Sequence, residues 1–234
     1  MKRGDPVKNY YEKEAMENSL WGTLREVALA DNILSLLPPM DAGLSIIDIG
    51  CGDGFLAHNL RKYSKKSAFF DLSFNRLKNV KSNTGQYRLV NGDIKSLPFA
   101  DNSFDFVICS EVLEHIHGYR QALDELVRIT RRLIIITVPH RQALVPIRCP
   151  QCNHKFHLSG HINYFTGNEL AGVFLDKGFR SKIKCFHTIY SYNRLTLKLP
   201  RLIRIFFDGL LVFFSGLISF LKPNYVAITA EKRN

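Results

Sequence analysis

Apolar residues recur along this chain in two rhythms. Up to Leu37 the spacing is three or four, as on one side of a helix. Two helices are expected within residues 8–37, the second over roughly 20–37 with Leu24, Val27, Ala28 and Leu34 on one side; Pro38-Pro39 ends it. From Ser45 the pattern changes to short apolar runs alternating with amphipathic stretches. Strands are expected near 45–49, 67–71, 86–90, 104–109 and 132–138, and helices near 53–63, 74–81 and 118–130. Alternation of this kind predicts an α/β fold, a parallel sheet with helices on both faces. Leu133-Ile134-Ile135-Ile136-Thr137-Val138 is almost wholly apolar, as a strand buried on both faces must be. Residues 139–165 and 191–222 follow neither rhythm. Without an internal repeat or a low-complexity linker, they are expected as insertions in one domain spanning 1–234.

The sharpest local signal is Ile46-Ile47-Asp48-Ile49-Gly50-Cys51-Gly52-Asp53-Gly54-Phe55-Leu56. An apolar run breaks into alternating glycines and then into a helical pattern, the form of a buried strand turning sharply into a helix. Glycine permits positive φ and a close approach of backbone to ligand, and the helix start leaves N–H groups free. Gly50, Gly52 and Gly54 fit G-x-G-x-G. The dinucleotide fingerprint G-x-G-x-x-G needs a glycine at 55, where Phe55 stands. Asp71 ends the next strand, at the position where a ribose-binding carboxylate falls in a Rossmann-like unit. The pattern suits a nucleoside whose neighbouring group is not a pyrophosphate.

Asp48-Ile49-Gly50-Cys51-Gly52-Asp53-Gly54 resembles the first motif of class I S-adenosylmethionine-dependent methyltransferases, of the type 11-like kind. Asp71 matches the acid of their second motif. Asn91-Gly92-Asp93-Ile94 with Ser103-Phe104-Asp105 is similar to their third region, and Ser110-Glu111-Val112-Leu113-Glu114-His115-Ile116 to their fourth. The resemblance implies a Rossmann-like, seven-stranded, mostly parallel sheet whose last strand is antiparallel. Tyr225–Glu231 suits that strand, paired with Ile183–His187. It also implies a cofactor site. Backbone around Gly50, Cys51, Gly52 and Gly54 would meet the amino-acid end, with Asp48 supporting the turn. Asp71 would accept from both ribose hydroxyls and Asp93 from the adenine amino group. Leu72 and Ile94 would pack on the ring, while Ser110 and Glu111 would face the methionine portion. The N-terminal helices of about residues 1–40 would form a lid, with Tyr10, Tyr11 and Trp21 as candidates; packing onto the sheet is the other reading.

Methyl transfer from a sulfonium is mainly a matter of alignment, but a hydroxyl or acidic carbon acceptor calls for a base. His115, just past the fourth strand, is the first candidate, with capping of the next helix as its other reading. His140, after the fifth strand, is the second. An Asn/Asp-Pro-Pro-Tyr segment, usual in the amino-methylating nucleic-acid enzymes of this class, is replaced by Cys109-Ser110-Glu111-Val112.

Within the first insertion, Cys149, Cys152, His157 and His161 form C-x2-C-x4-H-x3-H, two thiolates and two imidazoles suited to structural zinc. His154 could replace His157. The other reading is a loop with reduced thiols. His161 has a second reading as well, facing the substrate ahead of a helix that Thr166 would cap.

Charge changes the picture of the C-terminal half. The net charge of +11 divides into −2 over residues 1–125, with 15 Lys+Arg and 17 Asp+Glu, and +13 over residues 126–234, with 17 and 4. Residues 177–207 carry Lys177, Arg180, Lys182, Lys184, Arg194, Lys198, Arg201 and Arg204 and no acid, ahead of thirteen uncharged residues, Gly209–Leu221. Thirteen residues are too few for a spanning helix, which needs about 20. Peripheral contact with an anionic membrane is expected, or an apolar helix packed on the body or in a dimer interface. Five cysteines, an odd number, and no apolar segment behind Met1-Lys2-Arg3 suggest a reducing, cytoplasmic setting, with the membrane contact peripheral at the inner face. The expected activity is methyl transfer to a small-molecule or lipid- or glycan-linked acceptor, with oxygen favoured as the methylated atom. RNA methylation is the alternative, disfavoured because the basic residues interleave with apolar ones. A non-catalytic cofactor-binding scaffold is the second alternative.

Overall fold

The computed structural model describes residues 10–13, 24–39, 43–60, 63–64, 66–85, 88–140, 146–148, 153, 155–157, 160–186 and 223–233. A seven-stranded sheet runs in the order β3-β2-β1-β4-β5-β9-β8. Its strands are β1 Ser45–Ile49, β2 Lys66–Asp71, β3 Leu89–Asn91, β4 Phe104–Ser110, β5 Thr130–Pro139, β8 Phe179–Phe186 and β9 Tyr225–Lys232. β6 Pro146–Arg148 and β7 Lys155–His157 form a separate antiparallel pair. β1 to β5 pair in parallel, while β9 runs antiparallel to both β5 and β8. The expected strand set and antiparallel final strand are therefore present. β8 begins earlier than expected and β3 is short, with residues 86–87 outside the described set.

Period-two alternation explains how the sheet is sandwiched. Ile46, Phe69, Phe106, Ile108 and Ile135 point to one face, where they pack with Ala30 and Ile33 of the Leu24–Leu34 helix, Leu56 and Leu60 of Phe55–Leu60, and Leu77 and Val80 of Phe74–Thr84. Ile47, Ile49, Phe70, Val107, Ile134 and Ile136 point to the other, against Leu123 and Leu126 of Tyr119–Ile129 and Leu170 and Phe174 of Gly167–Asp176. Each such side chain taken from water contributes about 1.5–3 kcal/mol. Thr166 caps the last helix, its hydroxyl accepting from the Glu169 N–H at 3.3 Å.

Two polar devices fix the loops around the sheet. The Arg128 guanidinium donates to the Leu97 and Phe99 carbonyls, at 2.9 and 2.7 Å, and pairs with Asp101 and Glu125. This pins the loop that follows Asp93. Asp53 binds Arg76 Nη1 at 2.6 Å and Asn79 Nδ2 at 2.9 Å, tying the glycine turn to the Phe74–Thr84 helix. No described helix is long and apolar enough to cross a membrane. The insertion at 191–222 lies outside the described residues, as do Trp21, Cys149, Cys152 and His154.

Candidate active site

A cleft of about 540 Å³ opens over the carboxyl ends of β1, β2 and β4, where ligands of open α/β sheets bind. Its floor is the glycine turn. Gly50, Gly52 and Gly54 have φ of 77°, 53° and 84°, each in the left-handed region that favours glycine. The Gly50 and Cys51 amides both donate to the Phe70 carbonyl, at 2.7 and 3.1 Å, stitching the turn to β2. A Cβ on Gly50 would collide with the Val112 side chain, so the turn and the segment after β4 are in close contact.

Asp71 stands at the centre of the cleft wall. Its Oδ2 accepts from Gly52 N–H at 2.9 Å and its Oδ1 from Ser73 N–H at 2.8 Å. Burial raises its pKa to about 6 against the lowering effect of those two amides and of Arg76. Asp48 is 2% exposed, and burial followed by repulsion from Asp71 raises its pKa to about 7. Burial likewise pushes the Cys51 thiol up, keeping it protonated. The amides of Gly50, Cys51, Gly52 and Gly54 are engaged within the protein, so the turn offers its ligand a close backbone approach beside two acids, with no charged thiolate.

Leu72, Asp93 and Ile94 line one end of the cleft, and Ser110 and Glu111 line its middle. Asp93 is exposed, and its carboxylate accepts from Lys95 N–H at 2.9 Å. The Ser110 hydroxyl meets the Thr137 hydroxyl at 2.7 Å. Glu111 is held at φ 56°, uncommon for a residue with a Cβ; its amide donates to the Thr137 carbonyl at 3.0 Å. Every residue expected at the cofactor lines this cleft except Gly54. A Cβ on Gly54 would come 2.9 Å from Val80 Cγ2, so that glycine permits the turn to pack against the Phe74–Thr84 helix.

The far end of the cleft is formed by Glu114, His115, Gly160 and His161. His115 closes a short 3-10 turn, Leu113–His115, and faces the cleft; the next helix starts at Tyr119 after Gly118, so His115 does not cap it. His161 meets His115 with ring centroids 4.8 Å apart, and His157 stacks on His161 at 5.0 Å. This places the substrate-side reading of His161 in the cleft. His140 is different. Its amide donates to the Asn224 carbonyl at 2.9 Å, its backbone bridges Phe165, and it does not line the cleft. His140 directly follows the end of β5 at Pro139 and lies outside the cleft lining.

Several lining residues carried no strong signal in the sequence. Glu26, Leu29, Ala30 and Ile33 come from the Leu24–Leu34 helix, whereas Tyr10 and Tyr11, named from the sequence as lid candidates, line the cleft from the helical turn at 10–13. Glu12 fastens that turn. Its carboxylate accepts from Phe74 N–H at 2.7 Å, Asn75 N–H at 3.0 Å and the Ser73 hydroxyl at 2.9 Å, at the N-terminus of the Phe74–Thr84 helix. Glu114, only 1% exposed, reads in sequence as one more polar residue of a turn.

Comparison with known proteins agrees with this geometry. Residues 47–134 match the model of a methyltransferase domain. The chain is 32% identical over 147 residues to an uncharacterized protein of Methanocaldococcus jannaschii, covering 59% of this chain and 63% of that one. It is 32% identical over 101 residues to the malonyl-[acyl-carrier protein] O-methyltransferase of Pectobacterium atrosepticum, covering 43% and 40%. The chain thus matches less than two thirds of the length of these relatives. The structure of a complex between the Haloferax volcanii Trm112 methyltransferase activator and the putative methyltransferase matches in fold, with TM-score 0.68, 16% identity and full coverage of both chains. Residues 47–134 thus match a methyltransferase domain, and the chain shares its fold with a solved putative methyltransferase.

Proposed function

We propose that the protein transfers a methyl group from S-adenosylmethionine to a small-molecule or lipid- or glycan-linked acceptor, with oxygen as the methylated atom. The observation that carries this reading is the meeting of the Gly50–Gly54 turn, Asp71, Asp93 and Glu111 in one cleft whose far end is lined by His115 and His161. Asp71 retains lone pairs for the ribose hydroxyls beyond those used by Gly52 and Ser73. Asp93 accepts from the adenine amino group, with Leu72 and Ile94 against the ring. Ser110 and Glu111 face the methionine portion, and the sulfonium methyl is directed toward His115 and His161. The positive charge on sulfur suits a cleft lined by Asp48, Asp71, Glu111 and Glu114. The same acids disfavour a nucleic-acid strand lying across it.

The chemical step needs little beyond alignment. The acceptor oxygen attacks the methyl carbon in line with the departing sulfur, and positioning supplies most of the rate. Tyr10 and Tyr11, held by Glu12, cover the cleft and exclude water. Calorimetry with S-adenosylmethionine and a methyl-donor turnover screen across hydroxyl acceptors tests the reading. Binding with turnover supports it; no cofactor binding removes it, and binding without turnover on any acceptor class favours the scaffold alternative.

Two finer elements rest on sequence alone. Cys149 and Cys152 with nearby imidazoles are a zinc-ligand pattern. The basic approach and the apolar run Gly209–Leu221 suit an anionic membrane surface. Recovery of the protein entirely in the supernatant of anionic liposomes at low salt would remove the membrane element.

A further inference from the structure

We infer that Glu114, His115 and His161 form a binding site for a divalent cation at the acceptor end of the cleft. One ligand atom from each lies within 4.8 Å of the others. A cation about 2.0–2.2 Å from nitrogen and oxygen ligands holds them roughly 3–4.4 Å apart, so small side-chain rotations close the set. The inference rests on the methyltransferase reading for its chemistry, but not for the site itself.

Three features make this a built site. First, the ring of His115 is oriented. Its Nδ1 lies 3.3 Å from the Gly160 carbonyl, which takes the Nδ1–H, and its Nε2 faces Glu114 Oε1 at 4.0 Å. A metal-binding histidine has this arrangement, with one nitrogen bonded to a carbonyl and the other presenting its lone pair. Second, the strand of chain carrying His161 is clamped to the turn carrying Glu114 and His115. Ile162 and Asn163 donate their amides to the Glu114 carbonyl at 2.8 and 3.1 Å, and Asn163 Nδ2 donates to the Leu113 and Ile116 carbonyls, each at 2.8 Å. Third, Glu114 is 1% exposed, and its carboxylate lines the cleft beside two imidazoles.

Two imidazoles and a carboxylate suit manganese, iron or zinc, and three protein ligands leave positions open. A hydroxyl acceptor whose oxygen takes an open position loses its proton more readily, the proton passing to water at the cleft mouth. As the new O–CH3 bond forms, the S–CH3 bond breaks, and sulfur keeps the pair as a neutral thioether. His115 then acts as a ligand and not as the base. The assignment also takes His161 away from the Cys149–Cys152 pattern.

Manganese tests the site without activity, because hard ligands attract it and thiolates do not. The metal-stripped full chain is titrated with Mn2+ alone and followed by loss of the free-ion spin-resonance signal. One Mn2+ per chain is expected. His161→Ala and Glu114→Gln, checked for folding by thermal melting, are each expected to weaken binding at least 10-fold, while a Cys149→Ser/Cys152→Ser variant binds as before. No binding by the unaltered chain, unchanged binding in His161→Ala, or loss in the cysteine variant overturns the site. S-adenosylhomocysteine binding measured in parallel separates the two readings: Mn2+ binding without it keeps the metal site and removes the methyltransferase reading, while the reverse removes only the metal site.

Discussion

Gly52 donates its amide to the Asp71 carboxylate at 2.9 Å. The turn after β1 and the acid that ends β2 are thus one hydrogen-bonded unit before any ligand arrives. Both oxygens of Asp71 are engaged by amides, Gly52 on one side and Ser73 on the other. Replacing Asp71 with Asn turns an –NH2 toward one of these donors. A hydrogen bond lost from a buried group costs about 1–3 kcal/mol. A thermal melt of cofactor-free Asp71→Asn at pH 5, below the Asp71 pKa of about 6 so that the burial penalty of its charge is not relieved, should fall by a few degrees, at about 2–4 °C per kcal/mol for a domain of this size. An unchanged melting point would show that the contact does not hold the turn.

Gly54 makes a sharper claim about packing. Its φ of 84° and the 2.9 Å approach of an added Cβ to Val80 Cγ2 predict that Gly54→Ala loses stability twice, through backbone strain and through a clash. Denaturant unfolding should show a loss of about 2–4 kcal/mol. Pairing it with Val80→Ala should not restore the original value, because the backbone strain remains and a cavity is added. Full recovery in the double variant would mean that the clash was the whole cost.

Asp48 gives the apo protein a pH dependence of definite sign. Its folded pKa of about 7 stands above the ordinary 3.8 because of burial and then Asp71. A carboxyl with a raised folded pKa contributes its full stability below the unfolded value and loses it as pH rises through the folded one. Asp48 therefore lowers stability progressively from about pH 4 to about pH 7, and Asp71, raised to about 6, adds to the trend. Glu125, held low by the Arg128 side chain, pulls the other way in acid, so the informative comparison is between variants at the same pH. Melting of Asp48→Asn should gain on the unaltered chain between pH 5 and pH 7.5 by roughly 2–4 °C or more. Parallel curves at the two pH values would mean that Asp48 is ionised throughout.

Glu12 tests whether the N-terminal turn is a fastened cover. Its carboxylate accepts from two amides and a hydroxyl at the start of the Phe74–Thr84 helix. Removing an acid in this position costs about 0.5–2 kcal/mol. Glu12→Ala should melt a few degrees lower and bind S-adenosylhomocysteine several-fold more weakly by calorimetry, since Tyr10 and Tyr11 lose their anchor. Equal binding would show that these tyrosines do not cover the cofactor.

How far the fold was legible follows from burial. β1, β2, β4 and β5 are continuous apolar runs because both sheet faces are covered, and their positions were readable within a residue or two. β8 was less so: its middle is exposed and charged, and only its pairing with β9 extends it back to Phe179. The β6–β7 pair was missed because each strand has three residues and Pro146 opens the first. At the site, residues that bind through local backbone were legible, because a G-x-G-x-G turn can do little else. Residues assembled from distant segments were not. The Gly160–Asn163 segment meets Glu114 only through tertiary hydrogen bonds, and no spacing in the sequence encodes that meeting. His140 is the opposite case, a histidine at the active edge by sequence that lies outside the cleft lining, its amide bound to the Asn224 carbonyl.

The central claim, that the turn and Asp71 hold S-adenosylmethionine, is tested most directly by calorimetric titration of the full chain with S-adenosylhomocysteine, alongside Asp71→Ala. The account predicts one ligand per chain and an affinity at least ~10-fold weaker in the variant, the loss of one charged hydrogen-bond acceptor. No binding by the unaltered chain, or equal affinity in Asp71→Ala, would contradict it.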